Sequence, residues 1–151
     1  MKRTLQVLMG LITGILLCFT TSSCSKEEMN EKNLEGKWQS TSVRSQGFDA
    51  GKLVYDETSN CVDWYLGFNI KSDGTGPLIS YEEGESSISQ MTWVLMDNRL
   101  IITIESDGES GSMTFDIVEI KSKSMILSET DEYVENGIQC KDVATYTFKK
   151  I

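Results

Sequence analysis

No histidine occurs anywhere in the 151 residues, so any chemistry must rest on four cysteines, three tryptophans, the tyrosines, the lysines and a surplus of carboxylates. Without an imidazole there is no Ser-His-Asp or Cys-His nucleophile, no HExxH site and no His-ligated zinc. General acid–base work most often uses histidine, so the chain reads as a binder and not an enzyme, with no catalytic residue and no cofactor assigned. Acidic clusters stand at Glu82-Glu83 with Glu85, at Asp107 with Glu109, and at Glu129 with Asp131-Glu132. None has the spacing of an EF-hand loop, and the separation of glycosidase carboxylates cannot be read from loops. They read as solvated loop charge, and no metal site is assigned.

The cysteines sort by position. Met1 to Thr20 has a basic start at Lys2 and Arg3 and an apolar run from Val7 to Phe19. That run is shorter than the roughly 20 residues of a membrane-spanning helix and ends in the small residues Thr21, Ser22 and Ser23, as a cleaved signal peptide does. Small residues directly before Cys24 resemble the lipobox of bacterial lipoproteins. The resemblance implies a signal peptide over 1–23 and a diacylglycerol on the Cys24 sulfur, a firm membrane anchor, because two or more acyl chains hold what one alone binds only reversibly. Ser25-Lys26-Glu27-Glu28 resembles the Lys-plus-acid signal of surface-exposed Gram-negative lipoproteins; it reads equally as a polar tether. The expected place is the outer membrane, on either face, with 24–33 as acylated cysteine and leash. Nine residues from Ser25 to Asn33 reach about 30 Å at most.

Cys18 leaves with the signal, which leaves Cys61 and Cys140 as a disulfide candidate in an oxidising compartment. Both stand at the start of even-numbered expected strands, on one rim. Strand one lies between them, however, which separates them by roughly 10 Å where a bridge needs α-carbons within about 7 Å. The alternative is two free thiols.

The elements that position these residues are strands. Val62, Trp64, Leu66, Phe68 and Ile70 alternate with polar residues, a period of two with one buried face. The same pattern recurs in a first strand from Trp38 to about Gln46, a third from Pro77 to Glu82 and a fourth from Ser87 to Met96. Asp97-Asn98 is a two-residue hairpin signal into a fifth strand holding Leu100, Ile102 and Ile104. A sixth carries Met113, Phe115 and Ile117, with a bulge expected near Ile117 because Val118 and Ile120 change parity. Met125 and Leu127 mark a seventh, and Lys141 to Lys149 an eighth with Ala144, Tyr146 and Phe148 inward. Gly47 to Asn60 reads as loop, with room for a helical turn or two only within Asp49 to Thr58, and Ser128 to Gly137 reads as a loop that can include the end of the seventh strand. Eight short strands joined by turns form an antiparallel meander, and rolling it into a barrel removes both edges. The fold class is all-β, an eight-stranded up-and-down barrel over 34–151.

Leu34-Glu35-Gly36-Lys37-Trp38 on the first strand, then Cys61, Phe68, Asp73-Gly74-Thr75, Trp93 before a short hairpin and a closing Tyr146-Thr147-Phe148-Lys149 resemble the lipocalin-like domain of bacterial surface lipoproteins. The likeness runs from Leu34 to Ile151. It implies that Trp38 plugs one end of the barrel under a basic residue of the last strand, for which only Lys149 or Lys150 is placed. It also implies a small apolar ligand within the barrel or at its mouth.

Trp38, Trp64 and Trp93 fall on inward positions, as do Phe68 and Tyr146. Together they are the candidate ligand-binding residues, forming an aromatic pocket. The competing arrangement is a plain core, since eight strands are just wide enough for side chains to fill. No polar group is expected to converge on that interior. The charge speaks against nucleic acid: 14 Lys+Arg face 23 Asp+Glu, a formal charge of -9, and the two bases before Cys24 leave with the signal. A second expectation is a packed barrel whose loops contact an envelope protein or a glycan.

Overall fold

Alternating side chains and tight turns build nine antiparallel strands in the computed structural model, which describes residues 31–106 and 109–151. In chain order these are β1 (Gly36–Asp49), β2 (Lys52–Asn60), β3 (Trp64–Ile70), β4 (Thr75–Glu82) and β5 (Glu85–Met96). They are followed by β6 (Arg99–Ser106), β7 (Glu109–Ile120), β8 (Ser124–Glu135) and β9 (Ile138–Lys150). A single helical turn, α1 (Glu31–Leu34), precedes them, where a leash to Asn33 was expected. The segment 1–23, Cys24 and most of the tether lie outside the described residues.

Eight strands close into a ring, because β1 pairs with β3 on one edge and with β9 on the other. β2 stands outside the ring. It continues the edge of β1 where β3 leaves off: Gly36 to Gln39 pair with β3, and Ser42 to Asp49 pair with β2. On the far side β8 pairs with β7 only from Met125 to Ser128, while its pairing with β9 runs on to Glu135. The barrel is therefore closed at one end and splayed at the other. There β2, β1, β9 and β8 form a four-stranded apron facing the ends of β3 to β7.

Side chains fill the closed end. Trp38, Phe68, Phe115, Phe148, Leu100 and Met125 are almost wholly buried, and Phe68 packs on Phe148 with centroids 4.8 Å apart. The Trp38 indole N–H donates to the Leu34 carbonyl at 2.7 Å, and Lys150 Nζ lies 4.9 Å from the ring centroid. Of the two candidate bases, Lys150 is thus the one over the indole, a cation–π contact. Where β3 parts from β1, the Leu66 N–H loses a backbone partner and donates instead to the buried Ser40 hydroxyl at 2.9 Å. A buried backbone donor left unpaired costs as much as a lost hydrogen bond, so Ser40 stabilises the seam at which the barrel opens.

Among the described residues four two-residue turns set the registers. Ala50-Gly51, Glu83-Gly84, Asp97-Asn98 and Asn136-Gly137 all have positive φ at both positions, the backbone of type I′ hairpins. Asn98 adds a side-chain bond, Nδ2 donating to the Ile117 carbonyl at 2.8 Å, beside the bulge that shifts the register between Ile117 and Glu119. That bulge turns Val118 outward, as the parity change required.

Three expectations are corrected. The stretch Gly47 to Asn60 is not loop: Gly47 to Asp49 finish β1 and Lys52 to Asn60 are β2, whose residues are all exposed and carry no apolar alternation to betray it. Arg44 holds it on the outer face, its guanidinium donating to both Asp56 carboxylate oxygens. The stretch Ser128 to Gly137 is likewise mostly strand, paired with β9 and turning at Asn136-Gly137. Val62 is 77% exposed because β3 begins only at Trp64.

The disulfide expectation also fails. Cys61 and Cys140 are free, since Cys61 donates its N–H to Thr41 near the middle of β1 while Cys140 pairs with Asp49 at its tip. They stand roughly 26 Å apart along that strand, far beyond bridging reach.

Candidate functional site

Alternation along the strands carries the inward face past the packed core into the splayed end. Trp64 and Leu66 on β3 stand opposite Glu82 and Ser80 on β4, which stand opposite Glu85 and Ser87 on β5. Across the barrel, Met113 pairs with buried Ile102, and Tyr146 with buried Leu127. Between these walls lies an open cavity of about 820 Å³. Its rim extends over the β4–β5 turn to Glu83 and Ser86, and to Tyr65 and Tyr81, which stack at 5.1 Å on the outer face. A volume of this order suits a small molecule.

Of the five aromatic candidates, Trp64 and Tyr146 line the cavity, and Trp38, Phe68 and Trp93 are part of the packed core beneath it. Both arrangements considered for the interior are therefore present, at different heights. Trp93 is held there by its own polar atom, Nε1 donating to the Lys71 carbonyl at 3.0 Å. Tyr146 bridges the two levels: its ring meets Phe115 edge-on at 5.9 Å, and burial, followed by the charge of Glu129, raises its phenol above the ordinary tyrosine range.

The expectation that nothing polar converges on the interior is overturned. Ser80, Ser87, Glu82 and Glu85 lie on the inward parity because the β4–β5 hairpin extends beyond the height at which apolar residues fill the barrel. Glu129, Asp131 and Glu132 are strand residues of β8 and not loop charge. Among the described residues no three His, Cys, Asp or Glu side chains converge as metal ligands.

The inward face continues up the apron. Tyr55 on β2 lies over Gly47 of β1, where a Cβ would sit 2.0 Å from the ring, and donates to Asp142 of β9 at 3.1 Å. Tyr133 of β8 donates to the other oxygen of the same carboxylate at 3.2 Å. One acid of β9 thus holds side chains from both β2 and β8, the first reaching it across β1. The hydrogen bond to Asp142 comes first among the causes that push the Tyr133 phenol up to about 12. A raised tyrosine pKa means the neutral phenol is favoured in the folded state. The contribution of this bond is therefore complete below the unfolded value of about 10 and is lost as pH rises through the folded value. Ultraviolet phenolate titration should show one tyrosine ionising near pH 12 in the wild type and shifting down toward 10 in Asp142→Asn. Identical titrations of the two proteins would contradict this account.

A barrel plugged at one end beneath a tryptophan and a lysine, and open at the other around a cavity, defines the class of lipocalin-like barrels. The lipocalin-like family model matches residues 55–150, and the chain belongs to that family. Among solved structures, the chain resembles a lipocalin-like protein from Bacteroides uniformis at 17% identity and TM-score 0.49, covering 79% of this chain and 99% of that one. An uncharacterized protein from Bacteroides eggerthii aligns at 15% identity and TM-score 0.47, covering 78% and 98%. A bovine odorant binding protein, a deswapped triple mutant, aligns at 15% identity and TM-score 0.40, covering 79% and 74%. No curated protein matches the chain.

Proposed function

We propose that the chain is a lipid-anchored protein of the cell envelope, held in the outer membrane through Cys24, that binds a small molecule with an apolar body at the mouth of its barrel. The observation that carries the binding role is the cavity of about 820 Å³ walled by Trp64, Leu66, Met113 and Tyr146, directly above a filled core. A packed floor gives the pocket a fixed depth, and aromatic walls supply contact area at small entropic cost. The cysteine with its preceding small residues and basic, apolar leader supports the anchor.

Native mass spectrometry of protein purified from its own membrane tests both halves. The expected spectrum starts at Cys24 with added lipid mass and contains a further non-covalent species. Trp64→Ala and Tyr146→Ala should each weaken retention of that species by about tenfold, the loss of one aromatic anchor. A chain beginning at Met1 without added mass would remove the anchor, and an empty barrel would remove the ligand. Exposed apolar residues on the outer face, among them Ile88, Val94 and Val118, favour a second role in contacting an envelope protein. Recovery of one stoichiometric partner in a pull-down, lost when these three are made polar, would support it.

A further inference from the structure

We propose that the mouth of this barrel selects an organic cation, a molecule whose apolar body carries an ammonium or guanidinium group. This rests on the reading of the cavity as a ligand site and names the class of ligand it takes.

The observation is a sorting of charge between the two faces of one sheet. On the open half of the inward face the register places Glu57, Glu82, Glu85, Glu129, Asp131 and Asp142. Among the described residues the same face carries one base there, Lys52, which pairs with Asp49 at the tip of the β1–β2 turn, away from the cavity. Lys150 lies at the closed end over Trp38, and the bases further along the sheet point the other way: Arg44 is bound to Asp56 and Arg99 to Asp116 on the outer surface, and Lys141 stands on the outward parity of β9. Among the described residues no Lys or Arg lines the cavity.

A concave wall of one sign concentrates ions of the other. An amphipathic anion such as a fatty acid would enter against that field and would find no base to neutralise it. A cation meets Glu82 and Glu85 on one wall, the Ser80 and Ser87 hydroxyls as neutral acceptors, and the Trp64 ring as a cation–π surface. On the wall across from these, Glu129 of β8 is the diagonal neighbour of Tyr146 on β9. A bare metal ion fits poorly, because these carboxylates are distributed over several strands and do not converge on one point. A large, diffuse organic cation suits that spread.

The test uses three probes of one chain length, decyltrimethylammonium, 1-decanol and decanoate, each below its micellar concentration, titrated calorimetrically into the full chain. The cation should bind about tenfold tighter than the alcohol, from the added ion-pair and cation–π contacts, and decanoate should bind more weakly than the alcohol. Raising salt should weaken only the cation. In the isosteric triple variant Glu82→Gln, Glu85→Gln, Glu129→Gln the cation should lose its advantage while decanol binding persists, which shows that the pocket is intact. Decanoate binding as tightly as the cation, or a triple variant that keeps the full advantage, would overturn the cation class and leave the ligand site standing. Failure of all three probes to bind would instead count against the pocket as a ligand site and so against the proposed function itself.

Discussion

Trp38→Ala is expected to destabilise the barrel by about 3–5 kcal/mol, the range for removing a large buried aromatic. The side chain is 1% exposed, and its loss would orphan the Leu34 carbonyl that now accepts from the indole and would leave Lys150 without its ring. Since domains of this size have a total stability of about 5–15 kcal/mol, much of the chain would be unfolded at growth temperature. Urea unfolding followed by far-ultraviolet circular dichroism measures the effect. Trp38→Phe separates its parts: most of the burial remains and the hydrogen bond is lost, so about 1–2 kcal/mol should disappear. An unchanged midpoint in Trp38→Ala would mean that the closed end is not what holds the ring together.

Gly76→Val should be nearly as damaging, for a different reason. A Cβ at this position would lie 1.7 Å from the Asn69 carbonyl oxygen, a backbone atom of the neighbouring strand that has no rotamer by which to move away. Overpacking commonly costs about 1–3 kcal/mol when side chains can yield, and here β3 and β4 would have to separate. Gly111→Ala is the matched control, with nothing within 4 Å of its Cβ and no positive φ, and should be close to neutral. The same urea experiment compares them; equal midpoints for the two variants would disprove the clash.

What the sequence disclosed, and what it withheld, follows from what each stretch buries. Leu66, Phe68 and Ile70 advertise β3 because one of its faces is core, and Leu100 with Ile102, or Met125 with Leu127, do the same for their strands. β2 buries nothing: Lys52 to Asn60 are exposed on both faces and are strand only because β1 overruns the barrel and needs a partner. Hydrophobic periodicity is blind to such an element. The outer half of β8 shares that character, yet Asn136-Gly137 is a strong two-residue hairpin signal, and weighing it against the acidity of Ser128 to Glu135 would have shown the strand.

Parity gave five inward aromatics correctly as a face but could not give depth. Trp38 and Phe68 are floor while Trp64 is wall, because the height at which core packing stops depends on where neighbouring strands part company. That point is fixed by the short β1–β3 register and by Ser40, neither of which a single chain displays. The carboxylates of the mouth were hidden for a related reason. Glu82 and Glu85 flank a turn and look like surface charge until the pairing shows that both point inward.

The ring closes between the first and the last of the described strands: Trp38 on β1 stands opposite Lys150 on β9. More than a hundred residues must therefore be synthesised before the first strand meets the neighbour that seals it. Contacts so distant along the chain form slowly, after the cost of closing the intervening loop. A polypeptide emerging from the ribosome with its amino end first cannot close this ring until β9 has appeared.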